Sequence, residues 1–240
     1  MRLLSPLLLL IAFVSFAGAQ SVVITNHKVT YKRPKPISKY KKSFVVSYPK
    51  IKAATPAVSR KIESALSYQR VLGMNLNEEI NDVQWLEEAS YDVKYNANGA
   101  LAIDLTVEGS AAYPDGSTKS VVVDVKTGAR VTPAMSFTDL AGLVAMVKQE
   151  QAKEIIKAIE AIKKDPEVGD TDPATLFESS DYTPEDLDWF SLDENGVVFK
   201  YDYGFPHAIQ AWQPAGEFFF TWEQLKPFIK PGSLLSRIAR

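Results

Sequence analysis

The sequence predicts an α+β domain: an antiparallel meander sheet with one long amphipathic helix packed on it and short flanking helices. Three observations carry this. Runs of alternating β-branched and aromatic residues follow one another across turn-length gaps. Two of those gaps hold Asn98-Gly99 and Asn195-Gly196, the dipeptide that best accepts positive φ at both centres of a tight hairpin. Strands joined so tightly are antiparallel neighbours, because parallel neighbours need a crossover of a dozen or more residues. Only one stretch, from about Asp139 to Lys164, sustains a helical period over many turns.

The elements follow in order. Arg2, the apolar run Leu7–Phe16 and Ala17-Gly18-Ala19 match a secretory signal peptide over residues 1–19, so the mature chain is expected to begin at Gln20, with an uncleaved anchor as the alternative. No later stretch approaches the roughly 20 apolar residues of a membrane helix. Residues 20–42 read as a basic strand and linker segment, and 43–240 as the α+β domain. His27–Tyr31 and Ser43–Tyr48 have strand spacing and are expected to pair, with Pro34 and Pro36 between them marking an edge or linker. Thr55-Pro56 predicts an N-cap and first turn for a helix running to about Arg70. Val71–Trp85 has no clean period. Tyr91–Tyr95 and Leu101–Val107 flank Asn98-Gly99, Asp115-Gly116 marks the next turn, and Ser120–Val125 and Ala129–Val131 flank Lys126-Thr127-Gly128. The long helix is opened by Thr138 and buries Leu140, Leu143, Val144, Val147, Ile155, Ile156, Ile159 and Ile162 on one face. Short helices follow Asp172-Pro173 and Thr183-Pro184. Phe190–Glu194 should pair with Val197–Tyr203, and Phe218–Trp222 is a further strand. Thr221 and Gln224 form a capping box for a last helix ending near Pro231-Gly232.

Composition narrows the function. With 46% hydrophobic and 23% charged residues over 240 positions, the chain can bury a sizeable core. It has no cysteine, which excludes disulfide staples, thiolate metal sites and lipid attachment through cysteine. An exported protein without disulfides suits a bacterial envelope, secreted or periplasmic. The net charge of −2 hides a segregation. From Gln20 to Ile62 there are eleven basic and no acidic residues; from Glu63 onward fifteen basic residues face twenty-nine acidic ones, a balance of −14. Either the basic segment folds onto the acidic body, or the two ends attract partners of opposite charge.

The least generic stretch is Val197–Trp222. Within it Tyr201, Tyr203, Phe205, His207 and Trp212 are the candidate ligand-binding residues, suited to sugar stacking or an interface anchor, or to core packing. His207 oriented by Asp202 would be a base for an envelope-acting hydrolase. No complete catalytic set accompanies them. Ser47-Tyr48-Pro49-Lys50 with Lys126-Thr127-Gly128 imitates two motifs of penicillin-recognising enzymes, but the serine ends a strand-like run and the third motif is missing. Asp165, Glu167, Asp170 and Asp172 read as a solvated acidic loop, their spacing failing the calcium-loop pattern. Phosphate loops, dinucleotide fingerprints, Gly-x-Ser-x-Gly and His-Glu-x-x-His are absent from the sequence, and no cofactor, metal or nucleic-acid partner is expected.

VDVKTGARV (Val123–Val131), SFTDL (Ser136–Leu140), the long helix, YTPEDLDWFSLDENGVVFKYDYG (Tyr182–Gly204) and FPHAIQAWQPAGEFFFTWEQLKPFI together resemble the RsiV-like extracytoplasmic domain. That domain occurs in RsiV-type anti-sigma factors, where it binds lysozyme, and beside peptidoglycan deacetylase domains. The pattern extends from about Ser43 to the C-terminus. Where the family has Gly-Ala-His ahead of the Thr-Gly hairpin, this chain has Ala111-Ala112-Tyr113-Pro114-Asp115-Gly116. The resemblance implies an α+β fold and a non-enzymatic binding module of the envelope. Its expected partner is a lysozyme-type muramidase or a peptidoglycan component.

Overall fold

The computed structural model describes residues 21–110, 113–165 and 172–239. The signal-type segment 1–19, and Glu167 and Asp170 of the acidic loop, lie outside the described residues. The expected α+β fold is present: a five-stranded sheet of order β1-β2-β3-β4-β5, a three-stranded sheet of order β6-β7-β8, and a long helix.

β1 (Val23–Lys32) and β2 (Ser43–Lys52) pair antiparallel from Val23↔Lys52 to Lys32↔Ser43. Arg33, just past β1, is buried. Its guanidinium donates to the carbonyls of Glu79 (2.9 Å), Lys41 (2.6 Å) and Leu86 (2.7 Å) and sits over the Phe44 ring. The connection holding Pro34 and Pro36 is thereby tied to the start of β3.

One joint departs from the meander. β2 pairs parallel with β3 (Leu86–Ala97) through Val45↔Glu88 and Val46↔Ala89. The intervening chain is long enough for a crossover because it holds three short helices: α1 (Pro56–Ala65), α2 (Tyr68–Leu72) and α3 (Leu76–Asn81). Thr55 caps α1 as expected, accepting from the Val58 N–H. The helix expected to reach Arg70 is instead two, since the Ser67 side chain accepts the Arg70 N–H and starts a new one, which Gly73 ends at φ 69°.

β3, β4 (Ala100–Ser110) and β5 (Pro114–Asp124) are a true meander. Asn98 and Gly99 take φ 52° and 83° in the first turn, as expected. Asp115-Gly116, expected in the second turn, lies inside β5 opposite Gly109 and Glu108, because the ladder already pairs Ser110 with Pro114. Proline is tolerated there as the first residue of the strand. After β5 the Asp124 carboxylate accepts the N–H groups of Lys126 and Thr127, and Ala129–Val131 returns as a single bridge, Val123↔Arg130, rather than a strand.

β4 is covered on both faces. Leu101, Ile103 and Leu105 pack with Ile62, Leu66 and Tyr68 of the crossover helices, while Ala100 and Ala102 face the core built by α5 and the second sheet. α4 (Pro133–Ser136) leads into α5 (Leu140–Ile162), whose cap is Asp139, accepting from Gly142, and not Thr138; both the N–H and the hydroxyl of Thr138 donate to the Phe228 carbonyl. Leu143, Val144 and Val147 enter the main core and Ile162 a smaller one. Ile156, expected on the apolar face, is 58% exposed. Tight 3₁₀ turns at Pro173–Phe177 and Asp186–Asp188 occupy the two positions expected for short helices.

β6 (Phe190–Asp193), β7 (Gly196–Lys200) and β8 (Glu217–Thr221) form the second sheet. The Asn195-Gly196 hairpin exists, but neither residue has positive φ. Glycine is required at 196 for another reason, since a Cβ would lie 2.0 Å from the Phe220 carbonyl oxygen. β7 stops at Lys200, short of the expected Tyr203. The Thr221–Gln224 capping box opens α6 (Trp222–Leu225), which ends well before Pro231. α7 (Leu235–Ile238), which the sequence reading does not anticipate, returns Leu235 and Ile238 to the core. No helix among the described residues is long and apolar enough to cross a membrane.

Candidate functional site

The chain leaves β7 at Lys200 and re-enters the sheet at Glu217, and between them lies the segment singled out from the sequence. Its neck is closed by the Tyr201 N–H donating to the Gly216 carbonyl at 2.8 Å. Gly216 has φ 62°, and a Cβ there would meet the Tyr201 carbonyl oxygen at 2.0 Å, so no larger residue closes the neck this way.

Inside the loop, Tyr203 and Phe205 are 9% and 8% exposed and pack against Phe177 with ring centroids 5.5 and 5.2 Å apart. The Tyr203 hydroxyl donates to Glu154 Oε2 (2.8 Å), and Glu154 Oε1 accepts the Gly216 N–H (3.2 Å), so one α5 carboxylate clamps both ends of the loop. Burial, with the Glu154 carboxylate adding to it, pushes the Tyr203 hydroxyl far above its ordinary pKa and keeps it a neutral donor. Tyr201 is half-buried between Tyr182 and Tyr203. Trp212, also half-buried, donates its indole N–H to Asp165 Oδ2 at 2.9 Å. Tyr203, Phe205 and Trp212 thus fasten the loop to the C-terminal half of α5.

His207 points the other way, on an exposed 3₁₀ turn, His207–Trp212. Its Nδ1 lies 3.2 Å from Gln210 Oε1, its Nε2 lies 3.8 Å from Asp115 Oδ1, and its ring stacks on Tyr113. Asp202 is engaged elsewhere, accepting from the Gly204 N–H (2.9 Å) and Gln213 Nε2 (3.2 Å). The Asp202–His207 pair that a hydrolase would need is therefore not assembled among the described residues. No cluster of three or more potential metal ligands occurs among them either.

Gln210 of the same turn as His207 lines a cleft of about 640 Å³ at the turn end of β4 and β5, together with Glu87, Glu88, Glu108, Asp115 and Lys41, and His207 reaches it only through its 3.8 Å approach to Asp115. Lys41 is paired with Glu87. Glu88 and Glu108 are both exposed and stand directly opposite one another in the β3–β4 ladder. Like charges in that position repel and cost stability. Asp115 adds a third carboxylate from β5 in the next register step, opposite Gly109. The cleft is thus a concave, water-accessible surface carrying more negative charge than its one lysine offsets. It suits a cation. The sequence reading misses these carboxylates because they come from three strands and meet only through register; the acidic balance after Glu63 is their one trace in the sequence.

No protein-family model matches the sequence, and no curated protein does. Six chains of solved structures match, among them two that are similar over nearly the whole chain. One is a DUF3298-family protein from Bacteroides fragilis NCTC 9343, 13% identical, with a TM-score of 0.54, covering 92% of this chain and 98% of that one. The other is a DUF3298-family protein from Pseudomonas aeruginosa PAO1, 12% identical, with a TM-score of 0.50, covering 90% and 96%. At such identities the fold is what is shared.

Proposed function

We propose that this chain is an exported, non-enzymatic binding module of the bacterial cell envelope, and that the acidic cleft beside His207 captures a cationic protein, a muramidase of the lysozyme type. The Glu88–Glu108 juxtaposition carries this reading. Two carboxylates facing each other across a ladder at the rim of a cleft destabilise the free protein, and a bound cation relieves that repulsion. The signal-type segment and the RsiV-like sequence pattern agree with it in compartment and partner. His207 and Tyr113 stack on one another beside the cleft's Asp115, and Tyr201, Tyr203, Phe205 and Trp212 anchor the loop that carries His207.

Titration of the purified protein against lysozyme and against purified peptidoglycan tests the proposal. Saturable lysozyme binding is expected, weakening as salt rises because screening acts over about 8 Å at physiological ionic strength. Glu88→Gln/Glu108→Gln should weaken it about tenfold or more. Absence of binding at low salt, or binding indifferent to the double substitution, overturns the assignment. Binding to peptidoglycan alone transfers the partner to the wall polymer. Turnover of muropeptides that disappears in His207→Ala replaces binding with hydrolysis.

A further inference from the structure

At the far end of β5 lies a groove of opposite character. β5 is eleven residues long, so its two ends are roughly 35 Å apart. This second groove has a volume of about 360 Å³ and is lined by Lys61, Arg70 and Arg130 over a floor of Ala65, Val71 and Ala129. That volume falls within the range of small-molecule sites, which starts at about 300 Å³. The three cations are exposed, and among the described residues none has a carboxylate partner or other hydrogen-bond partner. No carboxylate among the described residues lines the groove itself, although Arg130 and Val71 also border a neighbouring pocket that holds Glu185, Asp186 and Asp188. Asp124 at the adjoining turn is taken up by the Lys126 and Thr127 N–H groups and by Arg237 at 3.0 Å.

The groove is held by rigid elements. Lys61 stands on α1, Arg70 on α2, and Arg130 on the segment after β5, whose backbone is fixed by the Val123↔Arg130 bridge and by the Val131 N–H donating to the Val122 carbonyl (2.8 Å). Gly128, at φ 73°, presses the turn onto α1 so closely that a Cβ would sit 2.6 Å from Lys61 Cβ and 3.1 Å from the Val58 carbonyl oxygen. Three positive charges, none of them bonded to a carboxylate among the described residues, surround a floor that accepts carbon, and two of them are guanidinium forks suited to bidentate oxyanion recognition.

We infer that this groove binds an organic phosphate, its phosphate held by Lys61, Arg70 and Arg130 and its carbon skeleton laid on Ala65, Val71 and Ala129. A phosphomonoester's double charge uses the three cations better than a lone carboxylate does. The site is separate from the acidic cleft, so it stands or falls independently of lysozyme capture.

Calorimetric titration with glycerol phosphate and co-sedimentation with phosphatidylglycerol vesicles, against phosphatidylcholine alone, test the inference and separate its sources. Binding of glycerol phosphate that falls about tenfold or more in Arg70→Gln/Arg130→Gln, and again in Lys61→Gln, is expected and points to a soluble or polymeric phosphate. Sedimentation with phosphatidylglycerol vesicles alone, lost in the same variants, assigns the phosphate to a lipid headgroup. Binding to neither probe overturns the inference. So does binding that the variants retain, or an equal loss in Lys28→Gln/Lys32→Gln, which lowers the charge of β1 but leaves the groove intact.

Discussion

Replacing Lys200 by methionine should remove about 3–5 kcal/mol of stability, the cost of stranding a buried charge. Lys200 on β7 donates to Asp104 Oδ2 on β4 at 2.7 Å, with the two side chains 9% and 10% exposed, so the pair bridges the two sheets in a nearly dry space. At that separation, and at the effective dielectric that describes protein interiors best, the attraction is worth roughly 6 kcal/mol. Desolvating the two ions costs several kcal/mol each, so the intact pair adds little net stability over an apolar substitute. Among the described residues Lys200→Met leaves Asp104 one hydrogen-bond partner, the Ser120 hydroxyl, which donates to Oδ1 at 2.5 Å, with the charge of Lys94 acting on it without a bond. Loss of the contact to Glu217, whose side chain is 57% exposed, adds at most about 1 kcal/mol, and Glu217→Gln alone measures that part. Asp104→Asn/Lys200→Met removes both charges, keeps a partner for Ser120, and should recover most of the deficit. Urea denaturation of the unaltered protein, Lys200→Met, Asp104→Asn and the double variant at neutral pH forms a double-substitution cycle, with Glu217→Gln as its control. A Lys200→Met loss below about 1 kcal/mol, or losses that simply add in the double variant, would refute the argument that the pair is coupled and dry.

Three further outcomes are expected. Gly196→Ala should cost about 1–3 kcal/mol or more through collision with the Phe220 carbonyl, and Gly204→Ala, at φ 66° with nothing within 4 Å, only about 1–2 kcal/mol from its left-handed backbone; denaturant midpoints that rank the two the other way contradict the packing account. Glu108→Gln should stabilise the free protein by about 0.2–1 kcal/mol while weakening partner binding, read as a raised melting temperature, because it removes the repulsion across from Glu88. Burial pushes the Glu79 carboxyl above its ordinary range, and the Leu86 N–H and Arg33 pull it only part of the way back. A raised folded-state pKa means that the contribution of Glu79 is complete below the unfolded-state value and is lost as pH rises through the folded-state one. The stability gap between the unaltered protein and Glu79→Gln should therefore narrow from roughly pH 4 to pH 7 in thermal melts. A widening gap would reverse the sign.

Local chemistry was legible wherever one turn or cap decided the outcome. Asn98-Gly99, Thr55-Pro56 and the Thr221–Gln224 box all act through atoms within a few residues of one another, and all occur where the sequence places them. The Asn195-Gly196 hairpin occurs too, but its glycine serves a contact with Phe220, twenty-four residues on, that no local pattern encodes. Ile156 shows the same limit from the helical side: its spacing is apolar, yet it is exposed while Ile155 and Ile159 pack into the smaller core. In the candidate site, the segment singled out from the sequence is the connection between β7 and β8. Composition alone does not separate Tyr203 and Phe205, which face Phe177, from His207, which stands exposed beside Tyr113 and Asp115.

Taken alone, the chain determined its α+β class, most of its strands, its one long helix and the segregation of basic from acidic residues, because periodicity, caps and charge order are properties of neighbouring residues. Tertiary structure alone decided the parallel β2–β3 joint, the Lys200–Asp104 bridge between sheets, and which carboxylates and which cations gather at the two ends of β5. Strand register and helix docking bring together residues tens of positions apart, and their energies depend on burial and distance, which exist only once the chain has folded.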